Sequence, residues 1–416
     1  MTHTPKNVLI VGAGGVAQVV AHKCVQHADK FGGIHLASRT LDKCQAIIAT
    51  LAQKNLPSDA ITAHSVDALD VDALAELIRK IDAKIVINVG SSFINMSVMD
   101  ACIATGAAYL DTAIHEDPNK VCETPPWYAN HEWRKKDAFK AANTTAILGI
   151  GFDPGVVNAY ARLGVDEFFD VGSVTDIDII DINAGSHGQY FATNFNPEIN
   201  FREFTGVVYS WQNSAWQTNQ MFEIKRTDDL PEVGVQHSYL TGHDELHSLS
   251  KFLDVPNIRF WMGFGDHYIN VFTVLKNLGL LSEKPVTLDD GREVVPLKLV
   301  KAVLPDPSSL APNYTGKTCI GNKMRGKKDG KPSEIFVYNV VDYKAAHEEV
   351  GSQGISYTAG VPAVAAAILI ADGVWDVGIM VNVEELDPKP LINLMNTMGL
   401  TTRIQDDNGD RLLEFS

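Results

Sequence analysis

The sequence predicts an α/β protein with a doubly wound parallel sheet and an inserted α+β domain that has a mixed sheet. Three observations favour this fold class. Short apolar runs alternate with helical patterns as far as about residue 150, a glycine-rich turn follows the first run, and longer strand-like runs begin near residue 172. Strands that alternate with helices are typical of parallel sheets covered by helices on both faces. The 416 residues are enough for two domains with a sizeable core.

The first apolar run, residues 8–11, breaks into the glycine-rich turn and then into a helical pattern. The turn carries a G-x-G-x-x-G/A fingerprint with its small positions at Gly12, Gly14 and Ala17. Gly12 permits a tight turn, Gly14 lets the backbone approach a pyrophosphate, and Ala17 lets the helix pack close to the strand. The helix would direct its N-terminal N–H groups at the phosphates. We therefore predict a Rossmann-type dinucleotide site formed by Gly12, Gly14, Gly15, Val16 and Ala17.

The second predicted strand ends in Ser38, Arg39 and Thr40. A site for NAD usually has an acidic residue at this point, which accepts hydrogen bonds from the ribose 2′-hydroxyl. Two hydroxyls and a guanidinium suit a 2′-phosphate instead, and Arg39 can also stack on the adenine. An exposed polar turn is the alternative. The pattern favours NADPH over NADH as the cofactor.

Further cofactor contacts are predicted where later strands end, because the carboxyl ends of parallel strands meet at one edge of the sheet. Asp67 follows the third strand and either approaches the adenine or caps the next helix. Gly90 and Ser91 follow the fourth strand, close to the expected nicotinamide ribose. Asp153 and Pro154 follow the sixth strand, where Asp153 suits a helix N-cap. The amides of this last loop could also hold the nicotinamide.

The second domain begins with an alternation of acidic and apolar residues at 174–182. This alternation predicts a strand with Asp176 and Asp178 on one face and Asp181 on the other. The basic stretch 323–331, which contains Asp329 and Gly330, is predicted to be a hairpin tip. Further strands are predicted at residues 206–211, 221–225, 297–304 and 335–341.

A smooth run of small residues between 359 and 367 predicts a helix packed tightly against the dinucleotide-binding domain. The first domain is then discontinuous and built from both ends of the chain. We predict a dinucleotide-binding domain of residues 1–171 and 345–416, and an inserted substrate domain of residues 172–344.

Composition narrows the classes of partner and the compartment. The net charge of −16 argues against non-specific nucleic-acid binding. The N-terminus runs directly into the first strand, which leaves no room for a signal peptide, and the apolar run 363–371 is too short to span a bilayer. We therefore predict a cytoplasmic protein with no membrane partner. No metal site is predicted, and reduced thiols are expected, because no pairing or ligand spacing relates Cys24, Cys44, Cys102, Cys122 and Cys319.

Several segments resemble the saccharopine dehydrogenase family: VLIVGAGGVA at 8–17, SRT at 38–40, YLDTA at 109–113 and GFDPGVVNAYA at 151–161. The segments FNPEINFREF at 195–204, TGHDELHSL at 241–249 and IRFWMGFGDHY at 258–268 are similar to one branch of that family, and the resemblance covers nearly the whole chain. It implies a cytoplasmic, NADPH-dependent enzyme that is usually a homodimer, with the inserted domain also serving dimerisation. Asp111, in the YLDTA segment, is assigned to the cofactor site.

The implied reaction joins L-aspartate β-semialdehyde to a diamine, either 1,3-diaminopropane or putrescine. An imine forms and is reduced by hydride, which gives carboxynorspermidine or carboxyspermidine. The protein positions the reactants and moves protons. Candidate proton carriers are Asp153, His187, His243, Glu245 and His267, of which Asp153, His187 and His243 are assigned as catalytic. Each has a structural alternative as a cap, a loop residue or a packed residue, and bound water can also carry the proton.

Charge placement in the second domain suggests how substrates bind. Between residues 163 and 224 there is no lysine and only one arginine, Arg202, against nine acidic residues. Such a pocket offers one carboxylate-binding fork, several partners for ammonium groups and an aromatic face for an alkylammonium. The alternative is a solvated surface on which Arg202 pairs with Glu198 across one helical turn. The predicted substrate-binding residues are Arg202, Asp176, Asp178 and Trp211.

Two other functions remain open. One is a saccharopine-type enzyme acting on a glutamate–lysine adduct, whose extra carboxylates would require several cations in the pocket. The other is a non-catalytic NADP(H)-sensing protein, which would keep the fingerprint but lose an acidic pocket.

Overall fold

The computed structural model of the chain describes residues 5–119 and 123–416, so that Cys122 and the four residues at the N-terminus lie outside the described residues. Strands and helices alternate in the first part of the chain. Its strands are β1 (Lys6–Val11), β2 (Phe31–Ser38), β3 (Ile61–Ser65), β4 (Ala83–Asn88), β5 (Ala108–Asp111) and β6 (Ala146–Leu148). Its helices are α1 (Gly15–Gln26), α2 (Leu41–Gln53), α3 (Val71–Lys80), α4 (Asn95–Thr105), α5 (Trp127–Asn130), α6 (Lys136–Ala142) and α7 (Val156–Leu163).

Longer strands dominate the second part of the chain. Its strands are β7 (Asp176–Asn183), β8 (Val208–Gln212), β9 (Ala215–Asn219), β10 (Lys225–Leu230), β11 (Gly234–Thr241), β12 (Asn257–Gly263), β13 (Val286–Thr287), β14 (Glu293–Val294), β15 (Lys317–Lys328) and β16 (Lys331–Asp342). Its helices are α8 (Pro197–Thr205), α9 (Glu245–Phe252), α10 (Asp266–Asn277) and α11 (Pro296–Val303). The C-terminal part contains α12 (Tyr343–Val350), α13 (Gly354–Ala371), β17 (Met380–Asn382), α14 (Pro388–Thr397), β18 (Arg403–Asp406) and β19 (Gly409–Leu412).

The first sheet is parallel throughout, with the strand order β3-β2-β1-β4-β5-β6-β17. Its strands are apolar because helices cover both faces; Val8 to Ile10, for example, are fully buried. The order reverses between β1 and β4, and ligands of doubly wound sheets bind at such a switch point, at the carboxyl ends of the strands. The predicted fold class is confirmed.

The second sheet is mixed. Its main path is β10-β11-β12-β7-β15-β16-β18-β19, with the hairpin of β8 and β9 attached to β12. β7 is parallel to β12 and antiparallel to β15. On the inner face of β7, Ile177 and Ile179 belong to the large core shared with the first sheet, whereas Ile180 belongs to a separate core on the outer face. The predicted hairpin joins β15 and β16, but its tip is confined to residues 329–330, because residues 323–328 of the stretch predicted as the tip still pair as part of β15.

Helix α13 joins the two parts of the molecule. It contacts α1, β4 and β5 on one side and β15 and β16 on the other. Small residues allow this, because a Cβ at Gly360 would lie 2.7 Å from the side chain of Val19 in α1. By length and composition α13 alone among the described residues could cross a membrane, although 89% of it is buried inside the protein. The predicted apolar run 363–371 is therefore only half of a longer helix.

Two predicted strands of the second part are wrong. Residues 297–304 lie mostly in α11, because Pro296 begins the helix and Leu297 and Val300 turn one apolar face to the core. Residues 221–224 form a turn and only Lys225 belongs to a strand, as the first residue of β10; the left-handed backbone of Phe222, with φ of 64°, interrupts any strand before it.

The C-terminal hairpin also differs from the prediction. β18 and β19 extend the mixed sheet through β16, although the sequence places residues 345–416 with the dinucleotide-binding domain. Ile404 is fully buried there and lies opposite Val337. The other domain limits stay a prediction. The four described cysteines, Cys24, Cys44, Cys102 and Cys319, are buried and unbridged.

Candidate active site

The fingerprint turn forms an open cradle at the N-terminus of α1. Gly12 has φ of 127°, and a Cβ there would lie 2.7 Å from the carbonyl oxygen of Val89, so glycine is required. Gly14 is the N-cap of α1, without a side-chain cap, and a Cβ on it would meet nothing within 4 Å. The first N–H groups of the helix therefore face open space, which fits a pyrophosphate.

The other fingerprint residues serve packing. A Cβ on Gly15 would lie 2.7 Å from Oγ of Ser356 in α13, and Oγ of Ser352 donates to the Gly15 carbonyl at 3.1 Å. Ala17 is fully buried against the sheet, and Val16 is half-buried. Gly15 thus allows α13 to approach α1 closely.

The turn after β2 is compact and exposed. Oγ of Ser38 donates to the Thr40 carbonyl at 2.9 Å and accepts from the Thr40 amide at 3.1 Å. The side chain of Arg39 is exposed beside this turn. Asp67 accepts from the amide of Leu69, whereas Asp70 caps α3, so the alternative role of Asp67 as the cap of α3 is wrong.

Polar residues at the ends of β4 and β5 hold the loops at this edge of the sheet. The Gly90 amide donates to Asn88, and Ser91 accepts from the Phe93 amide at 3.5 Å. Asp111 is buried and accepts from the Gly149 amide at 2.6 Å and from the Tyr109 hydroxyl at 2.8 Å. Burial raises the pKa of Asp111 to about 7. Its contacts fix the loop after β6; its predicted cofactor contact stays a prediction.

Six acidic residues, which we call the acidic cluster, lie with His243 where this edge meets the second sheet; five of them are near His243, and Glu116 is near Asp244 and Glu203. Asp153 comes from the loop between β6 and α7, Asp181 from β7, and Glu203 from α8. Asp244 and Glu245 stand with His243 at the start of α9, and Asp244 accepts from the Ile114 amide at 3.2 Å. Glu116, in the loop after β5, accepts from Ser92 at 3.4 Å. The cluster consists of Glu116, Asp153, Asp181, Glu203, Asp244 and Glu245.

His243 is held from both sides. Its ring stacks on Phe260 with centroids 4.0 Å apart, Nδ1 lies 2.5 Å from a carboxylate oxygen of Glu245, and Nε2 lies 4.0 Å from Glu203. Burial alone would lower the pKa of His243, but Glu245, with Asp153 and Glu203 near it, raises the pKa well above its usual value. His243 is therefore an imidazolium near neutral pH.

Burial and mutual repulsion raise the pKa values of five carboxyl groups of the acidic cluster: those of Glu116, Asp153, Asp181, Glu203 and Asp244. Burial is the main cause at every site; it brings the pKa of Asp181 to about 6 and that of Glu203 to about 8, against the favourable field of His243. The pKa of Asp244 rises to about 6 and that of Glu116 to about 8. Burial, reinforced by Asp181, raises the pKa of Asp153 well above its usual value. The site is therefore short of positive charge.

Arg202 is bound by the protein rather than open to a ligand. It is 4% exposed, and its Nε donates to Glu283 at 2.9 Å. Its terminal nitrogens donate to the carbonyls of Asp117 and Pro118 and lie 3.7 Å from Glu198. These contacts favour the alternative in which Arg202 pairs with Glu198. They also tie the loop after β5 to α8. The predicted role of Arg202 in binding a substrate carboxylate stays a prediction.

We expect Arg202→Ala to lower the free energy of unfolding by about 1–3 kcal/mol, because it removes the donors that bind the half-buried Glu283 carboxylate and the carbonyls of Asp117 and Pro118. The loop that carries Glu116 would loosen, so KM should rise for both substrates. Chemical denaturation and steady-state kinetics measure this, with the exposed Arg162→Ala as the control. A rise in KM for the aldehyde alone, at unchanged stability, would instead support carboxylate binding.

Asp176 and Asp178 lie on the outer face of β7, opposite to Asp181, and are engaged by arginines from other strands. Arg259 binds both carboxylates, Arg325 lies 2.9 Å from Asp178, and Arg226 lies 3.2 Å from it. Burial raises the pKa of Asp178, but the hydrogen bond and charge of Arg259 outweigh burial and bring this pKa below its usual value. Because arginines already neutralise Asp176 and Asp178, the geometry speaks against their predicted binding of a substrate ammonium, and that role stays a prediction.

The remaining predicted residues lie around the acidic cluster or away from it. The Trp211 indole donates to the Val255 carbonyl, and its ring contacts Trp216, which stacks on His247 in α9. His187 packs edge-on against Tyr314, and its Nδ1 accepts from the Gln189 amide. Exposed His267 bonds the Tyr190 carbonyl. Their catalytic or binding roles stay predictions.

Asp153 is not the N-cap of α7; that position is Gly155, whose amide donates to Asn158. Asp153 instead turns toward the cluster. Of the candidate proton carriers, the structure brings together Asp153, His243 and Glu245. Sequence reasoning missed Glu116, Glu203 and Asp244 as site residues. The excess of acidic residues between 163 and 224 was the signal for Glu203.

Comparisons with known proteins identify related sequences and a related fold. A family model described as saccharopine dehydrogenase NADP binding domain matches residues 8–147, and one described as saccharopine dehydrogenase C-terminal domain matches residues 151–400. A carboxynorspermidine synthase of Vibrio alginolyticus is 44% identical, over 96% of this chain and 97% of that protein. A carboxyaminopropylagmatine dehydrogenase of Synechocystis is 41% identical, over 94% of this chain and 96% of that protein. The apo structure of saccharopine dehydrogenase (L-Glu forming) from Saccharomyces cerevisiae shares the fold, with a TM-score of 0.71 at 15% identity. The match covers 96% of this chain and 99% of that protein.

Proposed function

The chain belongs to the saccharopine dehydrogenase family, and we propose that it is an NADPH-dependent enzyme that condenses L-aspartate β-semialdehyde reductively with a diamine. The product would be carboxynorspermidine from 1,3-diaminopropane or carboxyspermidine from putrescine. The proposal includes a cytoplasmic homodimer with residues 172–344 as the substrate and dimerisation domain, to which the terminal hairpin is added.

The acidic cluster is the observation that carries this proposal. A diamine arrives with two positive charges, and the imine formed from it is most reactive toward hydride when it is protonated. Six carboxyl groups that have only the His243 imidazolium among them stabilise both species. The cluster lies at the carboxyl edge of the dinucleotide-binding sheet, because Asp153 follows β6 and Glu116 follows β5.

The residues present also fit the proposed cofactor. Gly12, Gly14 and the N-terminus of α1 would hold its pyrophosphate, and Arg39 with Ser38 would hold the 2′-phosphate. When bound, NADPH supplies the hydride that reduces the imine carbon. The protein's own work is then to orient the two substrates and to move protons between them.

Two proton movements are required. The attacking amine must lose a proton before its lone pair can form the C–N bond. We assign this proton to Asp153, which interacts electrostatically with His243; it accepts a proton in its ionised form, which the positive charge of a bound diamine favours. The resulting hydroxyl must then leave as water, which requires a proton donor. We assign this step to the His243 imidazolium, whose Nδ1 is fixed by Glu245 and whose Nε2 is directed toward the cluster.

The alternatives are supported less well. A glutamate–lysine adduct carries three carboxylates, whereas the charged groups of the cluster are acidic apart from His243. A cofactor-sensing protein has no use for a buried imidazolium amid carboxyl groups. The Synechocystis relative, by contrast, bears a name that contains agmatine, so a monoamine with a guanidinium end is a second candidate for the amine.

The cofactor part of the proposal predicts an effect of Arg39→Ala. Loss of a charge-assisted contact to the 2′-phosphate weakens NADPH binding by about 1.5–3 kcal/mol, so kcat/KM for NADPH should fall tenfold or more while that for NADH changes little. Steady-state kinetics with each cofactor measures this. Equal kcat/KM values of the unaltered enzyme for NADPH and NADH would contradict the assignment of Arg39 to the 2′-phosphate.

A panel assay tests the proposal as a whole. The enzyme, NADPH and L-aspartate β-semialdehyde are combined in turn with 1,3-diaminopropane, putrescine, agmatine and lysine, and NADPH consumption is followed by absorbance. A parallel series replaces the semialdehyde with 2-oxoglutarate. The proposal predicts consumption that requires both the semialdehyde and an amine with a second cationic group. Consumption with 2-oxoglutarate and lysine alone would favour the saccharopine-type alternative.

A further inference from the structure

The part of the acidic cluster that lies in the second domain contains buried acceptors without donors. One oxygen of each carboxyl group, Oδ1 of Asp181, Oε2 of Glu203 and Oε1 of Glu245, has no hydrogen-bond partner among the described residues. Glu245 is fully buried, and its other oxygen is taken by Nδ1 of His243. Buried acceptors are normally satisfied, so three unsatisfied oxygens in one cluster indicate a missing donor.

Thr241 adds an independent observation. It is 1% exposed, and its hydroxyl also lacks a partner among the residues that the structure describes. Thr241 lies opposite Phe260 in the pairing of β11 with β12, and Phe260 is the residue on which His243 stacks. The hydroxyl is therefore on the same side of the sheet as Asp181, whose strand pairs with β12.

We propose that Asp181, Glu203, Glu245 and Thr241 form a pocket for the unreacting cationic end of the amine substrate. An ammonium group has three N–H donors and no acceptor, which matches a set of carboxylate and hydroxyl acceptors. This assignment rests on the proposed function and specifies which end of the substrate binds in which part of the site.

The two ends of the cluster differ in what holds them. Asp244 accepts from the Ile114 amide and Glu116 from Ser92, so both are tied to loops of the cofactor-binding sheet. Asp181, Glu203 and Glu245 belong to β7, α8 and α9 of the second domain. His243 lies between the two groups. An amine whose reacting nitrogen is near His243 therefore extends its other end away from the cofactor and into the pocket.

Charge supports the same assignment. Burial raises the pKa of Glu203 to about 8 and that of Asp181 to about 6, so Glu203 is mostly protonated at pH 7 without a ligand. A bound ammonium group favours the ionised form, and a proton must then leave the site. Binding of a diamine is thus expected to release protons, whereas a group with a purely structural role would not change its protonation when the amine binds.

The test uses calorimetric titration of the full-length enzyme, saturated with NADP+, at pH 7. The probes are 1,3-diaminopropane and n-propylamine, which lacks the second nitrogen. The unaltered enzyme should bind the diamine at least about tenfold more tightly and release protons, measured as a binding heat that depends on the ionisation heat of the buffer. Glu203→Gln and Asp181→Asn should each weaken diamine binding about tenfold or more, and Glu203→Gln should abolish most of the proton release. Glu223→Gln, an exposed carboxylate of the same domain, is the matched control.

Each outcome decides the matter. Equal affinity for the diamine and the monoamine, or variants that bind the diamine as the unaltered enzyme does, would overturn the pocket. Far-ultraviolet circular dichroism checks that both variants are folded, and removal of a carboxylate from a repelling cluster should not destabilise them. The panel assay is separate: if the unaltered enzyme turns over diamines but fails the binding comparison, the proposed function stands and only the pocket is wrong.

Discussion

Gly14→Val is expected to abolish dinucleotide binding while the fold is retained. A Cβ at Gly14 would contact nothing within 4 Å, and φ of −101° is open to a branched residue, so the protein itself tolerates valine. The added methyl groups would instead occupy the space above the N-terminus of α1 that the pyrophosphate needs. We expect the Kd for NADPH, measured by fluorescence titration, to rise at least about a hundredfold.

The matched control is Gly265→Val. Gly265 is also a helix N-cap with nothing within 4 Å of its Cβ position, but it begins α10, away from the fingerprint turn. Both variants should unfold at similar temperatures, and only Gly14→Val should lose NADPH. If Gly14→Val bound NADPH with unchanged affinity, the phosphates would have to bind elsewhere.

His243→Asn is expected to lower kcat by about two to three orders of magnitude, the usual contribution of a positioned proton donor. NADPH affinity should stay the same, because the change lies in the second domain. The pH profile gives a sharper readout. The donor is active below its own pKa and inactive above it, and since the Glu245 carboxylate raises that pKa against the effect of burial, activity should persist into alkaline pH.

In the His243→Asn variant, the fall in activity at alkaline pH that reports the pKa of the donor should disappear. Loss of a residue with a merely structural role would not change the pH profile in this way. His267→Asn is the control, because His267 is exposed and only bonds the Tyr190 carbonyl. A kcat within about twofold of the unaltered enzyme, with the same pH limb, would move the proton donor to another residue or to water.

The cofactor-binding half of the fold could be predicted because local patterns determine it. Gly12 is required by backbone geometry, and an apolar strand such as residues 8–11 has to be buried on both faces. The β-rich half is harder to predict from local sequence patterns. Leu297 and Val300 suit a strand as well as a helix in composition, and only the helical spacing of their contacts, with Pro296 before them, decides for α11.

The site itself could be predicted only in part. Alternation along β7 correctly separates Asp178 from Asp181, but it does not say which face meets the cofactor-binding domain. The arginines that neutralise Asp178 come from β10, β12 and β15, far away in the sequence. His243 and Asp153 could be named as candidates because their residue types suit proton transfer, whereas their proximity depends on how the two sheets pack.

The most direct test of the central claim, reductive joining of an aldehyde to an amine, is the mass spectrum of the product formed with NADPH that carries deuterium at the transferable C4 position. With L-aspartate β-semialdehyde and 1,3-diaminopropane, the account predicts a secondary amine that contains a single deuterium, located on the former aldehyde carbon. Deuterium in an alcohol derived from the aldehyde, formed whether or not the diamine is present, would contradict it.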